Sequence, residues 1–225
     1  LGTRVDAESL KAQGFDDVVI ATGVKPRTPS IEGIDHPKVL SYVDVLRGKA
    51  QVGEKVAVIG AGGIGFDVSE FLAEHPREGE QPLPEWMKEW GVDMNSDAPG
   101  GLVEPDVEKP ARQITLLQRK PTSLGKDLGK TSGWVHRATL KSRNVEMLKG
   151  CSYEKIDDAG LHIKIGEESR VLDVDHVVIC AGQESLRELY QEDAKNFHLI
   201  GGADLAAELD AKRAIRQGAE VAAAL

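Results

Sequence analysis

The run VAVIGAGGIGFDVSEFL, from Val56 to Leu72, sets four apolar residues before glycines at Gly60, Gly62, Gly63 and Gly65, with a helical pattern after them. An apolar strand, a glycine-rich turn and a helix in immediate succession predict the opening βα unit of a Rossmann-like α/β nucleotide-binding domain. Three of the four glycines have a mechanical reason to be there. Gly60 permits the tight turn, Gly62 lets the backbone approach a pyrophosphate, and Gly65 lets the helix sit close to the strand. Unpaired N–H groups and the dipole at the helix start then favour a diphosphate. Gly60, Ala61, Gly62, Gly63, Ile64 and Gly65 are therefore the candidate phosphate cradle. The competing reading is a glycine-rich turn with no ligand.

The end of the next strand decides which dinucleotide binds. In an NAD site an acidic residue about 20 residues beyond the glycines accepts the ribose 2′-hydroxyl. Here that strand is postponed by a long excursion and ends ITLLQRKP, so Gln118, Arg119 and Lys120 stand where a carboxylate is expected. A carboxylate repels a 2′-phosphate, whereas a guanidinium binds it through paired charge-assisted hydrogen bonds. Arg119 and Lys120 thus point to NADPH, with Lys126 and Lys130 as possible additions to the same positive field; solvated loop charges are the alternative. The nearby GKDLGKTSG, Gly125 to Gly133, imitates a P-loop. It places three residues between Gly125 and Gly129 where that motif has four, and no strand directly precedes it.

Periodicity predicts a strand near Thr3–Val5, a helix near Ala7–Gln13 and a strand at Asp17–Ala21. A short helix at Tyr42–Leu46 and the strand Lys55–Ile59 follow. In the helix after the glycines, Ile64, Val68, Phe71 and Leu72 form one apolar face. Residues 74–112 hold most of the prolines and two of the three tryptophans, the mark of a functional or disordered excursion. The strand Gln113–Gln118, a helix near Trp134–Ser142 and short strands at Val145–Leu148, Ser152–Ile156, Leu161–Ile165 and Arg170–Val174 come next. A final helix shows Ala211, Ala214, Ile215, Gly218, Ala222 and Leu225 on one face. Two segments echo one another: DDVVIATG (Asp16–Gly23) and DHVVICAG (Asp175–Gly182). They bracket the glycine unit and suggest nesting, with an outer domain left, an inner one completed, and the chain returning beside its start. Such strands are also common in α/β chains, which is the plainer reading.

At 225 residues the chain can bury a sizeable core, and a formal charge of −9 argues against nucleic acid or an anionic membrane as partner. No apolar run reaches the roughly 20 residues of a membrane helix, and the opening residues do not resemble a signal peptide. Cys151 and Cys180 form no C-x-x-C, so a disulfide framework, a metal site or a dithiol centre is not expected, and the compartment is expected to be cytoplasmic. LGTRVDAESL opens inside what reads as structure, as in a piece of a longer protein.

VVIATGVKPRTPSIEGID, the glycine loop, VVICAGQ and the closing FHLIGGADLAAELDAKRAIRQGAEVA together resemble the flavoprotein reductases with two dinucleotide domains. LPEWMKEWGVD and GGLVEPDVEKPARQITLLQRKPTSLGKDLGKTSGWVHR resemble in particular the bacterial NADPH-dependent 2,4-dienoyl-CoA reductases, iron–sulfur flavoenzymes related to trimethylamine dehydrogenase and the old yellow enzymes. The resemblance spans essentially the whole chain. It implies an NADPH domain (51–174) inserted in part of an FAD-type dinucleotide domain (1–50 and 175–225). It also implies an N-terminal TIM barrel with FMN and a [4Fe-4S] cluster elsewhere in the parent, the barrel being this module's partner. Hydride would pass from NADPH to FAD, and electrons through the cluster to FMN, which reduces the dienoyl thioester in fatty-acid β-oxidation. By resemblance Ala21, Thr22 and Gly23 lie against FAD, and Gly182 and Gln183 lie near the nicotinamide–flavin meeting point. Gly201, Gly202 and Ala203 would lead into a last helix whose N-terminus faces the flavin. The FAD domain's own first glycine loop, the barrel with its catalytic acid and the cluster cysteines are expected before Leu1, so the isolated chain is expected to be inactive. Many relatives carry Gly-Asp where this chain has Gly201-Gly202, so the carboxylate is displaced and Asp204 is the nearest alternative to it.

Two other functions compete with this electron-input module. A non-catalytic NADP(H)-sensing domain would not need the second, flavin-type segment. A single-domain dehydrogenase would need a proton-transfer residue, and the six histidines form no recognisable constellation; His136 reads as an ordinary helix residue.

Overall fold

A strand that is apolar on both faces needs a covering layer on each side, and Lys55–Ile59 has two. The computed structural model describes residues 2–207 and 209–225. In chain order its first elements are α1 (Ala7–Ala12), β1 (Val18–Ile20), β2 (Val24–Pro26), β3 (Val39–Ser41), α2 (Tyr42–Leu46), β4 (Lys55–Ile59) and α3 (Gly63–Ala73). Then come α4 (Leu83–Glu89), β5 (Gln113–Leu117), α5 (Gly133–Ser142), β6 (Glu146–Leu148), β7 (Cys151–Asp157), β8 (Gly160–Ile165) and β9 (Glu168–Leu172). The last are β10 (His176–Ile179), β11 (Gln183–Ser185), β12 (Phe197–Leu199) and α6 (Ala211–Ala224).

The chain divides into two units, Leu1–Arg27 with Gly182–Leu225, and Thr28–Ala181. The second holds a five-stranded sheet in the order β3-β10-β4-β5-β6, every pair parallel. Alternate residues of β4 serve opposite layers, as the two-residue period of a strand requires. Val56 and Val58 pack with Phe66, Val68, Leu72 and Leu140 of α3 and α5. Ala57 and Ile59 pack with Ile156, Leu161 and Ile163 of the antiparallel sheet β7-β8-β9. The unit is thus α/β in three layers, the third being a small β-sheet rather than helices.

Helix α3 buries a different arc from the one its largest residues suggest. Gly65, Ser69 and Ala73, spaced four apart, are all buried, together with Phe66, Val68 and Leu72. Phe71 is 49% exposed. A Cβ on Gly65 would lie 1.7 Å from the Gly60 carbonyl oxygen, so the helix approaches the turn through its smallest residues and the arc rotates toward them. The excursion 74–112 is built, not open chain. The Ala111 N–H donates to the Ala73 carbonyl at 2.8 Å and closes its neck. Within it, Trp86 of α4 and Trp90 just past its end have ring centroids 6.0 Å apart.

In the first unit β1 pairs with β12 in parallel and β2 with β11 antiparallel. The two echoed segments therefore do not pair, since β1 belongs to this unit and β10 lies between β3 and β4 in the other. What the echoes share is the closing turn, with φ of +79° at Gly23 and +98° at Gly182. The chain leaves the first unit after Arg27 and returns at Gly182, not at the expected 50/51 and 174/175 boundaries. The shift follows from β3 and β10, which hydrogen-bond into the sheet of β4. No strand forms at Thr3–Val5; three residues without a partner strand gain nothing from extension. In α6 the expected apolar face is packed only at Gly218: Ile215 is 70% exposed, while Arg213, Gln217 and Val221 are half-buried. No described helix is long and apolar enough to cross a membrane.

Candidate dinucleotide-binding site

The carboxyl ends of β4, β5 and β10 converge where the strand order departs to both sides of β4, the place where open α/β sheets bind ligands. Gly60 has φ +111°, and a Cβ there would sit 2.3 Å from the Cys180 carbonyl oxygen, against the end of β10. Its N–H donates to the Leu117 carbonyl at 2.8 Å, joining the turn to the end of β5. Cys180 and Cys151 are buried free thiols, and burial pushes the Cys180 thiol up to about 12. Neither is a thiolate at neutral pH.

Gly62 and Gly63 differ from their neighbours. Gly62 has ordinary backbone angles, φ −85° and ψ −174°, and caps α3 without a side chain. A Cβ at Gly62 or at Gly63 would meet nothing within 4 Å. Neither conformation nor packing within this chain demands glycine at these two positions. The first-turn N–H groups of α3 have no side-chain cap, which leaves them to an outside acceptor. This is the fit expected of a pyrophosphate cradle, with its close-approach surface formed by Gly62 and Gly63 and its framework by Gly60, Ala61, Ile64 and Gly65.

Beyond Leu117 the loop folds back on itself. The Gln118 amide Nε2 donates to the Lys120 carbonyl at 3.0 Å and to the Thr122 carbonyl. Arg119 is exposed and has no hydrogen bond or ion pair among the described residues, although its charge is close enough to oppose the upward shift that burial imposes on the Tyr153 hydroxyl. Lys120 is engaged, with Nζ 3.4 Å from Asp127 in an exposed pair. Of the two candidate cations, then, Arg119 is the available one. The P-loop imitation is a braced turn: Arg137 Nη1 donates to the Gly125 carbonyl at 2.9 Å, and Gly125 lies against Phe66.

The remaining candidates fall in the other unit. Thr22 Oγ1 donates to the Leu186 carbonyl, and Gly202 packs on Gly23, where a Cβ would come within 3.2 Å of the Gly23 backbone. Ala21 follows β1 directly, and Gln183 opens β11 opposite Pro26. Arg27 N–H donates to the Gly182 carbonyl at 3.0 Å. Gly201, with φ +60°, donates its N–H to Gln217 Oε1 at 2.7 Å, and Ala203 is fully buried with its carbonyl accepting from Arg187. These residues form a turn of their own and do not run into α6, whose start at Ala211 is capped by Asp210. The Asp204 carboxylate accepts from Gln217 Nε2 at 2.7 Å and braces the same turn.

One grouping escaped the sequence reading. His136 Nδ1 lies 3.0 Å from Glu70 Oε1, and Asp67 completes a set whose ligating atoms lie within 4.8 Å of one another. Burial raises the Glu70 carboxyl despite that hydrogen bond. The i, i+3 spacing of Asp67 and Glu70 was visible; the partner on α5 was not. A cavity of about 1240 Å³ between α3, α5 and the excursion is lined by Glu70, Trp86, Trp90 and Arg143, and by no residue of the glycine turn. The candidate nucleotide site is not that cavity.

Parallel sheet, uncapped glycine turn and switch-point position define a dinucleotide-binding α/β protein. Residues 2–206 match the description of the pyridine nucleotide-disulphide oxidoreductases, and the chain belongs to that family of flavoprotein oxidoreductases, whose cofactors are FAD and NAD(P)H. It is 29% identical over 177 residues to a metal reductase of Desulforamulus reducens, covering 79% of this chain and 25% of the relative. A cinnamate reductase of Clostridium sporogenes is 27% identical over 207 residues, covering 91% of this chain and 26% of that protein. The chain thus spans about a quarter of the length of these curated relatives. Among solved structures, a 2-naphthoyl-CoA reductase superposes with a TM-score of 0.69 at 25% identity, covering 97% of this chain and 28% of the other. T. acidophilum thioredoxin reductase shares the fold, with a TM-score of 0.60 at 15% identity over 92% of this chain and 64% of its own.

Proposed function

We propose that this chain is the NADPH-binding electron-input module of a flavoprotein reductase that acts, in its intact form, on a 2,4-dienoyl-CoA. NADPH would supply hydride and FAD would accept it. The residues of this chain would hold the donor: Gly62, Gly63 and the first turn of α3 on the diphosphate, and Arg119 on the 2′-phosphate. The observation that carries the reading is the pair of glycines that the fold does not need, set at an uncapped helix start. Ala21, Thr22, Gly23, Gly182, Gln183, Gly201, Gly202 and Ala203 would belong to the FAD side. A CoA-bound acceptor is supported by the 2-naphthoyl-CoA reductase, and an unsaturated acid by the cinnamate reductase. The chain's two cysteines, buried in separate strand ends, do not fit a cluster that needs four ligands, so FMN and an iron–sulfur centre would be carried by the barrel of the parent.

The test is calorimetric titration of NADPH and NADH against Arg119→Ala. One charge-assisted contact is worth about 1.5–3 kcal/mol, which is roughly 10- to 150-fold in affinity. NADPH should weaken by that factor with NADH nearly unchanged. Equal weakening of both cofactors would remove the 2′-phosphate assignment.

A further inference from the structure

Position 118 follows the last residue of β5, where an NAD site carries its carboxylate. Its backbone is fixed on both sides: the N–H donates to the Leu148 carbonyl at 2.9 Å and the carbonyl accepts from Cys151 N–H at 3.0 Å. Its side chain faces two carbonyls, those of Lys120 and Thr122, with Thr122 Oγ1 3.4 Å away. The Lys120 carbonyl also accepts from the Gly150 N–H at 3.1 Å. Residues 118–122 are thereby folded back on themselves, with Arg119 at the outside of the bend.

Two acceptors aimed at one position select a donor there. A glutamine amide has two N–H groups; an ionised glutamate has none and would set its oxygens against both carbonyls. The carboxylate that reads an NAD ribose and this bend are therefore chemically incompatible. We infer that Gln118 is a positioning residue for cofactor selectivity, holding the bend that presents Arg119 to the 2′-phosphate while excluding the residue type that would read a free hydroxyl. The inference rests on the NADPH reading above and adds a residue that acts only through Arg119.

The test uses the full chain with Gln118→Met, an apolar side chain of similar length, Gln118→Glu, and each combined with Arg119→Ala. Melting temperatures establish that each variant folds. Gln118→Met should weaken NADPH by roughly 3- to 10-fold, the scale of one lost net hydrogen bond, and leave NADH within about 2-fold. Gln118→Glu should cost NADPH more, because repulsion replaces attraction. In the Arg119→Ala background Gln118→Met should have little further effect, since the two act as one unit. Unchanged NADPH affinity in folded Gln118→Met, equal loss of both cofactors, or full additivity with Arg119→Ala would overturn the inference. If Arg119→Ala by itself weakens both cofactors equally, the NADPH reading fails first, and that outcome is separable from a silent Gln118.

Discussion

Gly62 and Gly65 stand three residues apart and do opposite work. A methyl group on Gly65 would lie 1.7 Å from a backbone oxygen that cannot move without moving the turn; one on Gly62 would meet nothing. Gly65→Ala should therefore destabilise the fold by about 1–3 kcal/mol, the usual cost of overpacking a close contact, read as a lower urea midpoint. Gly62→Ala should leave that midpoint unchanged and weaken NADPH and NADH alike, because the proposed cradle keeps the space it fills for the diphosphate common to both. Unfolding by Gly62→Ala, or its silence in binding, would contradict the division of labour. The Arg119 and Gln118 substitutions complete the test at this scale: on the proposed reading the glycine turn sets affinity and the bend after β5 sets choice.

At the scale of elements, the excursion 74–112 is held to the helical layer by more than its closed neck. Arg143, near the end of α5 and only 5% exposed, ion-pairs through Nη2 with Glu89 at the end of α4 and donates Nη1 to the Glu108 carbonyl at 2.8 Å. Its Nε has no hydrogen-bond partner among the described residues. Removing Glu89 would strand a buried guanidinium, whereas replacing both partners by apolar residues would not. Glu89→Ala should cost about 3–5 kcal/mol, and Glu89→Leu combined with Arg143→Met should recover most of it, as measured by chemical denaturation. A Glu89→Ala variant as stable as the parent would mean that α4 is held by its apolar contacts alone.

For the whole molecule, the decisive fact is that Thr28–Ala181 is continuous in sequence while the other unit is assembled from the two ends of the chain. All five parallel strands and the three-stranded sheet lie inside that continuous segment. Expressed alone, residues 28–181 should unfold in one cooperative transition and bind NADPH within about 3-fold of the full chain, a difference under about 1 kcal/mol. Loss of binding by a folded 28–181 fragment would show that the nucleotide site draws on the other unit. Aggregation of the fragment would show that the unit is not independently stable.

What the sequence determined by itself was whatever depends on neighbours along the chain. The β4–turn–α3 unit, the boundaries of α2 and β4, and the roles of Gly60 and Gly65 follow from short-range pattern, because a tight turn and a helix start are made by consecutive residues. The absence of a carboxylate after β5 was equally plain. Pairing was not, because hydrogen bonds between strands join residues far apart in sequence. The similar motifs at Asp16–Gly23 and Asp175–Gly182 gave no hint that β10 joins β4 while β1 joins β12, and the unit boundaries moved with that pairing. The arc that α3 buries was decided by how closely a backbone oxygen allows the helix to approach, which favoured Gly65 and Ser69 over Phe71. Gln118 was visible as a departure from the carboxylate of an NAD site; only the folded bend turned two carbonyls toward it and gave a reason for an amide there.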